Sequence, residues 1–98
     1  MPAYVMAHIE ISDMELFRRY QRGAGPAITA AGGKVLAAGP VETLEGEAPG
    51  GYGVLMEFPS IEAASEFYGG DTYRTLIPVR HAAAPRTIIT LVPGLLRP

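Results

Sequence analysis

His8 and Glu57 are the residues of this sequence best suited to acid–base chemistry. His8 lies in the middle of an extended segment, and an imidazole there could act as a general base near neutral pH. Glu57 lies in a second extended segment, where a carboxylate within diagonal cross-strand reach would orient the imidazole. The structural alternatives are a histidine hydrogen-bonded at a subunit interface and an interface ion pair between Glu57 and Arg80.

Arg80 and three tyrosines are the candidate ligand-binding residues. The Arg80 guanidinium could clamp a carboxylate or an enolate through two parallel hydrogen bonds, or fix a helix to the sheet through a buried ion pair. Tyr20, Tyr68 and Tyr73 could line a pocket and present phenolic hydroxyls, although aromatic residues at helical spacing more often belong to a core. His81 directly follows Arg80, and we expect it at the surface because adjacent helical side chains diverge.

Strands are predicted where polarity alternates or where β-branched and apolar residues cluster. The first segment alternates with period two, so its even-numbered residues, His8 among them, share one face. The third segment places Leu55 and Glu57 together on one face. Gly39-Pro40 inside the second segment indicates an edge strand or a bulge. The four predicted strands span 3–11, 34–44, 52–58 and 87–92, with a hairpin loop at 45–51.

Helices are predicted after two capping signals. A capping box starting at Ser12 opens the first helix, which should kink or restart at 23–26 because Pro26 has no N–H to donate. This helix should end at Gly32-Gly33, where a positive φ has no steric cost. Ser60 caps the second helix, and a short helical stretch broken near Pro78 precedes the last strand.

The order of these elements indicates the fold. The pattern β-α-β-β-α-β is typical of an α+β, ferredoxin-like domain with a four-stranded antiparallel sheet and helices on one face. Right-handed crossovers give the strand order 4-1-3-2. The uncovered face would then carry Met6, His8, Leu55 and Glu57. Because this half-apolar face is large for so small a chain, we expect a second copy to cover it in a twofold homodimer.

Composition limits the classes of function. The 98 residues predict one domain over 1–98, with a core at about 2–94 and a short C-terminal tail. The formal charge of −2 disfavours nucleic acid and anionic membranes as partners. The chain has no cysteine, its two histidines lack ligand spacing, and Gly23-Ala24-Gly25 lacks the third glycine of a dinucleotide fingerprint. We therefore expect no metal, no cofactor and, without a targeting or membrane segment, a cytoplasmic location.

A pattern distributed along the chain matches a known family: Pro2 to Ile9, Ser12-Asp13 with Glu15 and Tyr20, Gly32-Gly33-Lys34, Leu44-Glu45-Gly46, Glu57 to Ser60, and the spacing Tyr73, Leu76, Arg80. In these residues the chain resembles the domain of unknown function 1330 family over nearly its whole length, to about Gly94. The resemblance implies a member of the dimeric α/β-barrel superfamily, in which two such sheets face each other around a cavity. It implies no particular reaction, because superfamily relatives include cofactor-independent monooxygenases, haem-degrading enzymes and small-molecule isomerases.

Two functions remain open at this point, and whether the protein is an enzyme is undecided. In the first, a small organic molecule binds in a cavity at the sheet face, for binding alone or for a cofactor-independent reaction. His8 would then be the base, Glu57 its orienting group, and Arg80 with a tyrosine the donors. In the second, the protein is a non-catalytic homodimeric module whose open face only associates. A polar-lined void beside His8 would favour the first, and close packing the second.

Overall fold

Four strands form one antiparallel sheet in the computed structural model, which describes residues 1–47 and 51–95. The sheet order is β2-β3-β1-β4, which confirms the order expected from right-handed crossovers. β1 pairs with β3 on one side and β4 on the other, so the segment with the clearest alternation lies at the centre. The strands are β1 (Ala3–Glu10), β2 (Lys34–Pro40), β3 (Tyr52–Phe58) and β4 (Arg86–Pro93).

Four helices pack against one side of this sheet. They are α1 (Met14–Ala30), α2 (Ile61–Gly69), α3 (Asp71–Arg74) and α4 (Ile77–Ala83). The helix-covered side, here called the inner face, carries Val5, Ala7, Ile9, Val54 and Met56, and the opposite side, the open face, carries Met6, His8, Leu55, Glu57 and Ile88. This arrangement is the ferredoxin-like fold expected from the order of the elements.

The N-terminus of α1 differs from the predicted capping box. Asp13, rather than Ser12, caps the helix by accepting a hydrogen bond from the backbone N–H three residues later, at 3.1 Å. The Ser12 hydroxyl instead donates to the backbone carbonyl of Ala83 at 3.1 Å, which ties the start of α1 to the end of α4. The second cap is confirmed, since Ser60 accepts a hydrogen bond from the N–H of Ala63 at 3.0 Å.

Helix α1 continues without a restart through residues 23–26. Pro26 leaves the carbonyl of Arg22 without its helical donor, but both residues are exposed and water can bond that carbonyl instead. The end of the helix is as expected, with Gly32 at a φ of 83°. At Gly33 a side chain has no room, because a Cβ would lie 2.7 Å from the ring of Phe58.

Three further predictions concern the edge strand, the helical stretch before β4, and the hairpin loop and C-terminal tail. β2 is an edge strand, which confirms one of the two interpretations of Gly39-Pro40; the register is irregular between Val35 and Ala37 and regular at Gly39-Pro40. The helical stretch before β4 is broken at Thr75-Leu76, and Pro78 lies in the first turn of α4, where its missing N–H has no partner to lose. Part of the expected hairpin loop (48–50) and the last three residues of the expected tail (96–98) lie outside the described residues. No helix in the described part is long and apolar enough to cross a membrane.

Candidate functional site

A cavity of about 230 Å³ lies between the inner face of the sheet and the helices. It exists because the positions facing it from β1 and α1 include short residues, Ala7, Ala24 and Gly25, that do not fill the space beneath their larger neighbours. Its walls are mainly apolar, and Arg80 is the one charged residue among the described residues that line it. The other lining residues include Val5, Ile9, Phe17, Tyr20, Gln21, Ile28, Val35, Val54, Met56, Phe67, Tyr68, Tyr73 and Ile89.

Arg80, Tyr73 and Tyr20 form a hydrogen-bonded cluster on the wall of this cavity. The Arg80 Nη1 donates to the Tyr73 hydroxyl at 2.8 Å, and the hydroxyls of Tyr73 and Tyr20 are 2.6 Å apart. The guanidinium carbon also lies 5.9 Å from the centre of the Tyr73 ring, within the range of a cation–π interaction. Arg80 is only 4 % exposed, and its Nε has no hydrogen-bond partner. The cluster is therefore at the buried end of the cavity.

A row of stacked and edge-on rings fixes the position of the two tyrosines. Tyr73 packs against Phe67 at a centroid distance of 4.7 Å, and Phe67 packs against the fully buried Phe58 at 5.2 Å. On the other side Tyr20 lies 5.7 Å from Phe17. Because each ring is held by the next, the hydroxyls at the cavity wall are positioned by the core itself.

The electrostatics of the cluster favour a site that is positively charged and rich in donors. Burial raises the pKa of Tyr20 far above its usual value, and the neighbouring Tyr73 raises it further, so the phenol stays protonated. Burial lowers the pKa of Arg80, but interactions with Tyr73 and Tyr68 outweigh that effect and the net pKa is raised. Arg80 therefore keeps its charge.

Replacing Tyr20 by Phe should change how stability depends on alkaline pH. Because the folded-state pKa of Tyr20 is raised above 10, its contribution is complete below pH 10 and is lost as the pH rises further. In the wild type this one group should lower the free energy of unfolding by about 1.4 kcal/mol per pH unit above 10. Urea unfolding between pH 9 and 11.5 measures the effect, and equal slopes for wild type and Tyr20→Phe would contradict it.

His81 is nearer to the cluster than the sequence suggested. It is exposed, as expected, but it does not point away, because its Nε2 lies 3.3 Å from the Arg80 Nη2 and can accept a hydrogen bond from it. The short helix α4 permits this contact between adjacent residues because the long Arg80 side chain folds back toward its neighbour. Gln21 is a polar lining residue that the sequence did not single out, although it directly follows Tyr20 on α1.

His8 and Glu57 lie on the open face, and the expected contact between them is wrong. Glu57 is opposite Tyr4 in the β1–β3 register, accepts a hydrogen bond from the Tyr4 hydroxyl at 3.2 Å, and pairs with Lys34 at 3.7 Å. This hydrogen bond raises the pKa of the Tyr4 phenol. His8 is opposite Gly53, four residues further along the strand, or roughly 13 Å away at about 3.3 Å per residue.

The expected site therefore divides into two groups on opposite sides of the sheet. Arg80 does not share the face of His8 and Glu57, and within the chain it forms no ion pair with Glu57. In the described part of the chain the ion pairs are Lys34–Glu57 and Arg86–Glu10, and neither involves Arg80. The four candidate ligand-binding residues, by contrast, all line the same cavity: Arg80, Tyr20, Tyr68 and Tyr73.

The surroundings of His8 form a shallow depression rather than an enclosed pocket. Met6, Leu55 and the short residues of β2 border it, and it is open to solvent. Across residues 1–47 and 51–95, no group of three or more histidine, aspartate or glutamate side chains is placed to hold a metal ion. The more enclosed cavity lies beside Arg80, on the opposite side of the sheet from His8.

Solved structures with the same fold come from several bacteria. A protein of unknown function from Rhodopseudomonas palustris is 22 % identical, with a TM-score of 0.79 over 98 % of this chain and 84 % of its own. A dimeric ferredoxin-like protein of unknown function from Jannaschia sp. CCS1 is 14 % identical, with a TM-score of 0.77 over 96 % and 100 %. A proposed antibiotic biosynthesis monooxygenase from Caulobacter crescentus is 15 % identical, with a TM-score of 0.69 over 97 % and 91 %.

These likenesses establish the fold and nothing finer, because all three identities are below 25 %. Among curated proteins, none matches the chain. The family model named "Domain of unknown function (DUF1330)" matches residues 2–95, which confirms the resemblance seen in the sequence. The chain belongs to the DUF1330 family.

Proposed function

We propose that this protein is a homodimer in which each chain binds a small, mainly apolar organic molecule in the cavity of the inner face. The observation that carries the proposal is a space of about 230 Å³ inside the core of a 98-residue chain. Protein cores are normally packed without voids much larger than a water molecule. Because exposed residues line one side of this space, water reaches apolar walls that give it few hydrogen-bond partners. An apolar ligand would displace that water and bury the walls, at about 25 cal/mol per Å² of apolar surface removed from water.

The shape of the cavity supports a route for such a molecule. Arg80 and Tyr73 are buried, whereas Gln21, Val35 and Tyr68, which line the same space, are exposed. The exposed residues mark the side from which a ligand could enter, and the buried cluster marks the end it would reach. A mainly apolar cavity with a few convergent polar groups is the usual form of a small-molecule site.

The open face supports the dimer. Met6, Ile88 and Val92 are 39 %, 49 % and 40 % exposed, and they share one surface of the sheet with Leu55, which lies beside Met6 on β3. A contiguous apolar surface of this kind favours association. The structural neighbour from Jannaschia sp. CCS1 is described as dimeric, and the sheet of this chain has the same fold. In the proposed dimer His8 and Glu57 would belong to the interface and not to the ligand cavity.

A non-catalytic module that only associates through the open face is the competing proposal. The same apolar surface favours it, and it requires no ligand in the inner-face cavity. The two proposals agree on the dimer and differ only on the cavity, so a binding experiment separates them.

Filling the cavity should abolish binding while leaving the fold intact. Ala24 is buried on α1 and lines the cavity, so Ala24→Leu places three additional carbon atoms in the proposed binding space. Toluene and phenol serve as probes, titrated into isotope-labelled protein and followed by the methyl signals of cavity residues such as Val5 and Ile28. We expect saturable shifts in the wild type and at least about tenfold weaker binding in Ala24→Leu, since an occupied pocket excludes the ring.

The matched control is Ala82→Leu, which makes the same change at an exposed position of α4 and should bind both probes as the wild type does. If neither probe, nor any member of a wider panel of single-ring compounds, shifts the cavity signals, the ligand proposal fails and the association-only module is favoured.

A further inference from the structure

We infer that the molecule bound in this cavity is an organic anion, a single-ring carboxylate whose carboxylate group is held by Arg80 and a tyrosine hydroxyl. This inference rests on the proposed function, because it names the chemical class of ligand for the same cavity. It follows from three separate properties of the site: its uncompensated charge, its surplus of hydrogen-bond donors, and the size and polarity of its walls.

The first property is a buried positive charge without a negative partner. Arg80 is 4 % exposed, and in the described part of the chain no carboxylate lies within ion-pair distance of it. Its partners in the described part of the chain include no carboxylate: they are the hydroxyl and ring of Tyr73, the nearby Tyr68 and the imidazole of His81. A buried charge is costly unless it is paired, so an anion in the cavity would supply what the chain itself does not.

The second property is a surplus of donors. Tyr20 and Tyr73 share one hydrogen bond, so only one of their two phenolic protons lies between them, whichever residue donates. The Tyr73 oxygen already accepts from Arg80, and the remaining phenolic proton has no acceptor among the described residues. The Arg80 Nε–H is also without a partner. A ligand here must therefore accept hydrogen bonds, and a carboxylate accepts several at once.

The third property, the size and apolar character of the cavity walls, excludes a small hydrophilic anion as the ligand. Apart from the polar cluster, the walls are formed by side chains such as Val5, Ile28, Met56 and Ile89. These would leave the hydrophilic oxygens of phosphate or sulfate without partners on most sides. An apolar cavity of about 150 Å³ accepts a benzene molecule. A space of about 230 Å³ therefore suits one ring with one carboxylate.

The orientation of the ligand follows from where the exposed and buried residues lie. The charged cluster is at the buried end, so the carboxylate would enter first and the ring would fill the apolar space between β1 and α1. Tyr68, which is 42 % exposed and packs 5.4 Å from Tyr73, would then cover the ring from the solvent side. A ring with a second charged group at the far end would fit this arrangement less well.

The test compares benzoate with benzamide, which has nearly the same shape and no charge. Both are titrated into labelled wild-type protein at pH 7, with benzylamine as the cationic counterpart and inorganic phosphate as the small anion. We expect benzoate to bind at least about tenfold more tightly than benzamide, with benzylamine and phosphate weakest. The preference should vanish in Arg80→Met, which keeps a side chain of similar length and removes the charge.

Arg19→Met is the matched control, because Arg19 is exposed on α1 and does not line the cavity. It should keep the full preference for benzoate. Tyr73→Phe should lower the affinity for benzoate several-fold and leave benzamide less affected, because a carboxylate loses more when a donor is removed. The comparison of the four probes uses the wild type alone, so it tests the preference for an organic anion even if Arg80→Met does not fold.

Each outcome is decisive. Preference for benzoate that depends on Arg80 supports the inference. Equal binding of benzoate and benzamide at the cavity overturns it while leaving the proposed small-molecule site in place, and tighter binding of phosphate overturns the single-ring class. If toluene, phenol and all four probes fail to shift the cavity signals, the inference and the proposed function both fail.

Discussion

Met6→Glu should convert the protein from a dimer to a monomer. Met6 lies in the central strand β1, on the open face, between Leu55 of β3 and Thr90 of β4. In a free chain the new carboxylate would be hydrated, because Met6 is 39 % exposed there, so the fold itself should tolerate it. In a dimer it would be buried against apolar side chains without a partner. We expect the dissociation constant to rise at least about 100-fold, or about 2.7 kcal/mol.

Sedimentation velocity measures this change directly. The wild type should sediment at twice the chain mass of 10.4 kDa, and Met6→Glu should sediment at that mass itself. Met14→Glu is the matched control, because Met14 is 48 % exposed in the first turn of α1, where an acidic residue is favourable. The proposed association through the open face would be contradicted if the wild type were a monomer, or if Met6→Glu formed a dimer with the same dissociation constant as the wild type.

Phe58→Ala should be the most destabilising single change in the core. Phe58 is fully buried, contacts the backbone at Gly33, and supports Tyr73 through the ring of Phe67. Removing such a ring typically costs about 3–5 kcal/mol, a large part of the 5–15 kcal/mol that stabilises a domain. Urea unfolding gives the difference, and the expected result is a much lower midpoint with little change in slope.

Tyr68→Ala provides the comparison for this prediction. Tyr68 is also an aromatic residue close to the cavity, but it is 42 % exposed, so its removal should cost well under half as much. If Phe58→Ala and Tyr68→Ala lowered the free energy of unfolding equally, the row of aromatic rings would not support the cavity wall as its packing indicates. The side-chain signals of Tyr73 offer a second measure, because they should broaden when Phe58 is removed and stay sharp when it is retained.

The faces of the sheet could be predicted from the sequence because they depend on a strictly local rule. Alternation along residues 3–10 assigns Val5 and His8 to opposite sides whatever the rest of the chain does. The helix end at Gly32-Gly33 and the cap at Ser60 are local in the same sense and are confirmed. A local rule can also be satisfied by either of two neighbouring residues: at the start of α1, Asp13 caps the helix instead of the predicted Ser12.

The site could be predicted only in part, because it depends on register and on the side from which a helix approaches. A shift of two residues between β1 and β3 leaves every face unchanged but moves Glu57 away from His8 and opposite Tyr4. Likewise, nothing in the local sequence of α4 says that the Arg80 side chain reaches beneath the helices to Tyr73. Four residues that line the cavity were therefore named from the sequence, while the side of the sheet on which they lie relative to His8 and Glu57 was not.

The sheet separates the cavity from the open face, and this has a consequence for the number of ligands a dimer would hold. The cavity lies on the helix-covered side of the sheet, and the proposed contact lies on the other side of the same strands. Each subunit would thus carry a complete site on the outside of the assembly. Saturation should follow a simple hyperbola with a stoichiometry of one per chain, and any cooperativity would have to pass through the central strands, whose alternate side chains face the cavity and the open face.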